Sequence, residues 1–146
     1  MKLSCSGIWW TAGSLELSRV SGTSGNDVAA LLKLYEMATA PAMRDAETWV
    51  LTELQGVDYA EFQEFYPVGS RGWRQFTDIC GLMELFGVLV KHGMVQEAVL
   101  FDLFGGIDVL WEAVVEIVTG MRSTGDTRLY ENFETLYRRV KAWERS

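Results

Sequence analysis

The residues best suited to chemistry by type and spacing are carboxylates on one predicted helix. Glu112 and Glu116 are four residues apart, with Asp108 one turn earlier, so their side chains share a helical face. Paired carboxylates can exchange protons with a substrate or hold a metal ion. Helical di-metal proteins add Glu-x-x-His pairs, and the sequence contains none. The apolar residues of this helix recur on another face, so we predict a solvated acidic face rather than a reactive site.

Two other titratable residues invite a functional interpretation. His92 is the single histidine and directly precedes Gly93 at a predicted helix end, where an imidazolium is favoured by the helix dipole and can bond free carbonyls. We therefore predict a capping histidine rather than a catalytic base. Glu84 lies in an apolar segment, but a helical wheel places it in a polar stripe with Thr77 and Lys91. We predict that Glu84 has a structural role, partly exposed or ion-paired.

Glycine-rich and basic segments give equally plain predictions. Residues 69–72 read Gly-Ser-Arg-Gly, without the lysine or the preceding strand of a phosphate-binding loop, and are expected to stop a helix. Arg138, Arg139 and Lys141 form a small basic cluster in which Arg138 can pair with Glu134 four residues earlier. The sequence identifies no catalytic, cofactor-binding or metal-binding residue, and no small-molecule ligand.

Composition limits the classes of partner. The chain has 146 residues, 49% of them hydrophobic, which suits one globular domain. Its net charge of −7 opposes binding to nucleic acids and to anionic lipid surfaces. The longest apolar run, residues 79–90, is shorter than the roughly 20 residues needed to cross a bilayer. Cys5 and Cys80 are far apart and form no disulfide framework, so we expect free thiols and a cytoplasmic location.

The elements that position these residues are predicted to be helices throughout. Residues 1–25 form a Ser/Gly-rich tail that contains the Trp9–Trp10 pair, and residues 26–146 form the helical domain. We predict an all-α, compact bundle of about six to seven helices around one central apolar helix at about 71–92. The helices are expected at about 28–38, 41–55, 59–65, 71–92, 95–104, 107–122 and 127–144.

The apolar spacing also predicts which faces are buried. The first helix, capped by Asn26 or Asp27, should bury Val28, Leu31, Leu32, Tyr35 and Ala38, and the second Met43, Ala46, Val50 and Leu54. The seventh should dock on the fourth and sixth through Leu129, Phe133, Leu136, Val140 and Trp143. Gly81 and Gly87 in the central helix predict the close approach of a neighbouring helix.

The order of several motifs resembles a bacterial family of small helical proteins known as a domain of unknown function. The motifs are Pro41-Ala-Met-Arg44, Trp49 to Leu54, Phe86 to Gly93, Leu100 to Phe104, Trp111 ahead of Arg122, and Tyr130 to Glu134. The likeness covers about residues 28–143. It implies an all-helical fold and a bacterial origin, and it implies no activity, substrate or catalytic residue. Many members look as though they carry an N-terminal membrane helix, where this chain has its Ser/Gly tail.

Three functions remain open on the sequence. The leading hypothesis is a non-enzymatic, cytoplasmic helical interaction module, because aromatic residues are abundant and aromatic anchors are typical of interfaces. Its candidate partner surface is Tyr130, Tyr137 and Trp143, and its partner is another protein or a second copy of the chain. The alternative is a membrane-peripheral regulator inserting Ile8, Trp9 and Trp10. The second alternative is an enzyme using the carboxylates of Glu84, Glu112 and Glu116.

Overall fold

The computed structural model describes residues 25–146, which form seven helices and no β-strand. The tail predicted at residues 1–25, with Cys5 and the Trp9–Trp10 pair, lies outside the described residues apart from Gly25. The helices are α1 (Gly25–Thr39), α2 (Pro41–Glu53), α3 (Tyr59–Phe65), α4 (Arg71–Lys91), α5 (Glu97–Leu103), α6 (Ile107–Thr124) and α7 (Glu131–Arg145). The all-α prediction is confirmed.

Four helices close around the main core. α4 packs between α2 and α7, and α6 contacts the same two helices from another side. α1 extends this arrangement on α2, and α3 extends it on α6. The core that results is rich in phenylalanine, with the rings of Phe62, Phe76, Phe86, Phe104 and Phe133 all fully buried. The prediction that α7 docks against α4 and α6 is therefore confirmed.

Capping residues set the helix starts that the sequence marks most clearly. Asp58 accepts a hydrogen bond from the Glu61 backbone N–H while the Glu61 side chain accepts one from the Asp58 N–H, which is a complete capping box for α3. The Ser70 hydroxyl accepts from the Trp73 N–H at the start of α4. α1 begins at Gly25, so it starts before Asn26 and Asp27, the two residues predicted to cap it.

The predicted stripe of α2 is confirmed, whereas that of α1 needs a correction. Ala46, Val50 and Leu54 are buried, with Met43 partly so. On α1, Leu32 was predicted to be buried but is 49% exposed, and Leu34 is buried in its place. The reason is angular: Leu31, Leu34 and Ala38 follow the three- and four-residue spacing of one face, and Leu32 lies about 100° away from Leu31.

The start of α7 also differs from the prediction. The helix was expected from about residue 127 but begins at Glu131. Residues 127–130 instead form a turn in which the Asp126 carboxylate accepts from the Arg128 N–H, and Tyr130 adopts a left-handed φ of 56° that no α-helix contains. Leu129 consequently lies in this turn and is only partly buried. Phe133, Leu136 and Val140 form the buried stripe of α7.

Candidate functional site

Glu84 of α4 fixes the first turn of α7. Its Oε2 accepts a hydrogen bond from the Phe133 backbone N–H at 2.8 Å, and its Oε1 accepts one from the Asn132 side-chain amide at 2.7 Å. Backbone N–H groups at a helix start, such as that of Phe133, have no partner within their own helix, so a carboxylate from another helix can satisfy one of them and complement the helix dipole. Glu84 is therefore a structural, half-buried acid, and its partner is the start of α7 rather than Lys91.

One turn further along α4, Gly87 sets the distance between the two helices. A Cβ built at Gly87 would lie 2.3 Å from the backbone carbonyl oxygen of Asn132, so only glycine allows this approach. The close approach predicted from the glycine is confirmed here. Gly81 differs, because a Cβ there would meet nothing within 4 Å and the residue faces solvent.

Beyond this crossing, α4 and α7 enclose a cleft of about 310 Å³. We call it the α4–α7 cleft. Gly87, Val90 and Leu136 line its apolar part, and Gly87 and Leu136 are buried. Its polar lining is Lys91, Arg128, Glu131, Asn132, Thr135 and Arg139.

Three of the charged side chains that line the cleft are cations and one is an anion, in a chain whose net charge is −7. Arg128 forms a two-pronged ion pair with Glu131 at its edge, and this hydrogen bond lowers the pKa of Glu131. Arg139 donates to Glu97 of α5 at 2.7 Å. Within residues 25–146, Lys91 forms no ion pair at 4 Å or less, but its charge also contributes to the lowered pKa of Glu131.

The three residues proposed as a partner surface are placed against three different helices. Tyr130 packs edge-on against Phe76 of α4, with ring centroids 6.3 Å apart. Tyr137 is partly exposed, as predicted, and its hydroxyl donates to Glu112 of α6. Trp143 is 43% exposed and packs edge-on against Phe101 of α5. The sequence could not show that these three side chains contact different helices, because that depends on which helix packs against each side of α7.

The carboxylates considered for catalysis are likewise not brought together at the cleft. None of Glu84, Glu112 and Glu116 lines it. Glu84 bonds the start of α7, whereas Glu112 accepts from Tyr137 further along the same helix, and Glu116 is exposed. Within the described part of the chain, no group of His, Cys, Asp or Glu side chains is arranged to hold a metal ion. His92 occupies the C-cap position of α4, as predicted, and its backbone N–H donates to the Val88 carbonyl.

Lys141 lies beside two acids of the predicted acidic face of α6 and one acid of its own helix. Its ammonium lies 3.7 Å from carboxylate oxygens of Asp108 and Glu144 and 4.0 Å from one of Glu112. Desolvation alone lowers the pKa of Lys141, but these carboxylates outweigh it and hold the pKa above the ordinary lysine value. The cations of the basic cluster predicted at residues 138–141 thus pair with different acids. Arg138 pairs with Glu134, as expected.

Two ionisable residues, one buried and one partly buried, were not identified from the sequence. Glu47 of α2 is only 5% exposed, and burial raises its pKa to about 8 against a smaller opposing effect of Arg44. A helical wheel gives the missing signal, because Glu47 falls between Leu54 and Leu51. Arg122 of α6 donates to the Leu129 carbonyl at 2.8 Å and to Glu134 at 3.0 Å, and its guanidinium lies over the Trp111 ring. It thereby ties the turn before α7 to α6.

Comparison with known proteins identifies a family without an assigned activity. A family model described as Domain of unknown function (DUF4760) matches residues 23–140. No curated protein and no solved structure matches the chain. In residues 25–146 there is no helix of the length and apolar character needed to cross a membrane.

Proposed function

Because the chain belongs to the DUF4760 family, whose description names no activity, we propose its function from the geometry: it is a non-enzymatic helical module that binds a protein partner in the α4–α7 cleft. The observation that carries this proposal is that the cleft is built by two fixed contacts between the helices that form it. The first contact is the set of hydrogen bonds that Glu84 accepts from the start of α7, which we call the Glu84 clamp. The second is the close approach of α7 at Gly87, which we call the Gly87 crossing. Both lie next to the cleft.

A cleft held in this way favours binding because little has to be ordered when a partner arrives. The cleft is lined mainly by residues of two helices, and binding sites on rigid elements keep their geometry better than sites on loops. A preformed site also avoids part of the entropy cost of association. The Glu84 clamp is thus the support of the site rather than a reactive group in it.

The size and lining of the cleft fit a protein partner. Its volume of about 310 Å³ lies at the lower end of the range of ligand pockets, roughly 300–1,000 Å³. That space suits one or two side chains of a partner better than an extended cofactor. The partly exposed Val90, with charged residues around it, matches on a small scale the apolar centre and polar rim of a protein interface.

The proposal includes a bacterial cytoplasm as the setting of this module. Two things support it: the family resemblance in the order of the motifs, and the buried, unpaired thiol of Cys80, which suits a reducing compartment. Fractionation of the source cell, with the protein detected by antibody, tests this part separately. Recovery in an oxidising compartment would contradict it.

Filling the cleft tests the binding function. Thr135 lines the cleft and is exposed, with its hydroxyl bonded to the carbonyl four residues earlier; Thr119 of α6 makes the same bond outside the cleft. We expect Thr135→Trp to remove a partner that co-purifies with the tagged full chain, and Thr119→Trp to retain it. A partner that co-purifies equally with both variants would show that the cleft is not the binding site.

A further inference from the structure

We infer that the turn between α3 and α4 docks on an anionic phospholipid membrane. Phe65 and Val68 insert below the headgroups in this arrangement, and Arg71 and Arg74 lie beside the phosphates. We call residues 65–68 the α3–α4 tip. The inference goes beyond the proposed function, because none of these residues lines the α4–α7 cleft.

The α3–α4 tip presents apolar side chains to water. Val68 is 82% exposed and Phe65 is 64% exposed, the two largest fractions among the exposed large hydrophobic residues of the described chain. Pro67, which lies between them in sequence, is exposed as well. Because the transfer of apolar surface out of water is favourable, these three side chains favour insertion into an apolar phase.

Local contacts hold the tip in this exposed position. The Ser70 N–H donates to the Pro67 carbonyl at 2.9 Å and closes a turn, in which Gly69 has a φ of 86°. The Tyr66 ring packs against the backbone of α4, since a Cβ built at Gly72 would overlap it. The tip is therefore formed before it meets a membrane, and little of it has to be ordered on docking.

Two arginines next to the tip supply positive charge. Arg71 and Arg74 are exposed in the first turn of α4, and neither forms an ion pair within residues 25–146. Helical side chains lean toward the N-terminus of their helix, so both arginines lean toward the tip, which precedes α4. Phosphate groups are anions that a guanidinium group can bind through two hydrogen bonds at once.

The acids nearest to the tip in sequence lean the other way. Glu61 and Glu64 are exposed on α3, and the tip lies at the C-terminal end of that helix, so their side chains lean away from it. The Glu61 carboxylate accepts a hydrogen bond from the Asp58 N–H, at the opposite end of α3. Among the neighbours of the tip in sequence, the arginines therefore lie closer to a docked membrane than the acids.

The net charge of the chain, −7, does not decide the interaction at this site. At physiological ionic strength the Debye length is about 8 Å, so a membrane surface responds mainly to the charged groups close to the tip. Each cation near an anionic leaflet raises the affinity about fivefold. Arg71 and Arg74 can therefore attract a surface that the chain as a whole repels.

The small size of the tip favours a membrane over a protein partner. A stable protein interface uses roughly 20–30 residues a side, whereas the tip consists of residues 65–68 alone. A bilayer needs no matching pocket and accepts a few protruding apolar side chains. Tyr66 and Trp73 beside these residues are partly exposed, and Tyr and Trp are enriched at the level of the headgroups.

Flotation of the full chain with lipid vesicles tests the inference. One set of vesicles contains phosphatidylcholine and phosphatidylglycerol in equal parts, and the other contains phosphatidylcholine alone. We expect Val68→Ser and Phe65→Ser each to weaken binding to the anionic vesicles about tenfold, because each removes an apolar side chain from the membrane. Met94→Ser, at a residue 63% exposed in the turn after α4, should leave binding unchanged.

Arginine variants test the charge at the tip. Arg71→Gln and Arg74→Gln should each weaken binding to the anionic vesicles about fivefold and have little effect on binding to phosphatidylcholine alone. Arg145→Gln changes an exposed arginine at the end of α7 and should have no effect. Circular dichroism should show the same helix content and melting temperature for all these variants, because the substituted side chains are exposed.

Three results would overturn the inference. The first is failure of the full chain to float with the anionic vesicles. The second is vesicle binding that survives Val68→Ser but is lost in Trp9→Ser, which would assign the membrane contact to the N-terminal residues. The third is loss of a co-purifying protein in Val68→Ser without vesicle binding by the wild type, which would show that the tip binds a protein. Thr135→Trp should float like the wild type, since the cleft is a separate site.

Discussion

Replacing Glu84 by alanine should destabilise the domain through a helix to which Glu84 does not belong. The change removes two short hydrogen bonds, from the Phe133 N–H and the Asn132 side-chain amide, at the start of α7. Each bond to a half-buried carboxylate is worth about 1–1.5 kcal/mol net, and the interaction with the helix dipole adds about 0.5 kcal/mol. We therefore expect the free energy of unfolding to fall by about 3 kcal/mol.

Two comparison variants make this prediction specific. Glu84→Gln keeps one acceptor oxygen and loses the charge, so it should cost about half as much as alanine. Glu112→Ala removes another acid that bonds α7, through the Tyr137 hydroxyl, but Glu112 is exposed and its loss should cost about 0.5 kcal/mol. Urea unfolding at pH 7, followed by circular dichroism, gives all three values.

The outcome of this series decides whether Glu84 clamps α7. A loss for Glu84→Ala no larger than that for Glu112→Ala would refute the long-range clamp. The amide resonances of Asn132 and Phe133 supply an independent readout, because both should show faster hydrogen exchange in Glu84→Ala as the first turn of α7 opens more often.

Three further predictions test the packing around the site. Phe133→Ala should destabilise the domain by about 3–5 kcal/mol because the ring is fully buried. Tyr137→Ala should cost much less in the same thermal melts because the Tyr137 side chain is partly exposed. Equal losses of stability would place Tyr137 in the core. Glu47→Gln should raise the free energy of unfolding by up to about 3 kcal/mol at pH 7 and leave it unchanged at pH 4. In the native state the Glu47 carboxyl keeps its proton up to a pKa of about 8, whereas the unfolded chain loses it near 4.5, so wild-type stability should fall as pH rises between these values; a Glu47→Gln profile parallel to wild type would contradict this. Gly87→Ala should cost more than about 1 kcal/mol because its Cβ meets the α7 backbone, while Gly81→Ala, in open space, should stabilise by about 0.5–1 kcal/mol; stabilisation by both would refute the close crossing.

Local signals in the sequence were enough to predict most helices. Asp58 and Ser70 accept hydrogen bonds from amides three residues ahead, so each helix start depends on a few neighbouring residues and can be recognised without the fold. The length of α4 follows in the same way from Ser70 at one end and Gly93 at the other.

The start of α7 could not be predicted in this way because distant residues determine it. Arg122 bonds the Leu129 carbonyl from α6, and Glu84 bonds the first amides of α7 from α4. These contacts stabilise the left-handed Tyr130 and displace the helix start to Glu131. Periodicity alone extends the helix back to about 127, since Leu129 fits the apolar stripe of α7.

The candidate site was predictable only in one part. Gly87 indicated a close helix crossing, and that crossing borders the cleft. The cleft itself joins Lys91 on α4 to Arg139 on α7, residues that are far apart in sequence and share no motif. Which flank of α7 faces α4 depends on tertiary packing, and for that reason the tyrosine flank and Trp143 were grouped together on the sequence but contact different helices.

The central claim is that the α4–α7 cleft is where a protein partner binds. Photo-crosslinking in the source cell tests it most directly, with a photoreactive amino acid placed at Thr135 in one variant of the full chain and at Thr119 in another. We expect a crosslink from Thr135 to one defined protein and no crosslink to that protein from Thr119. A crosslink to a defined protein from Thr119, with none from Thr135, would contradict the claim and place the interface on α6.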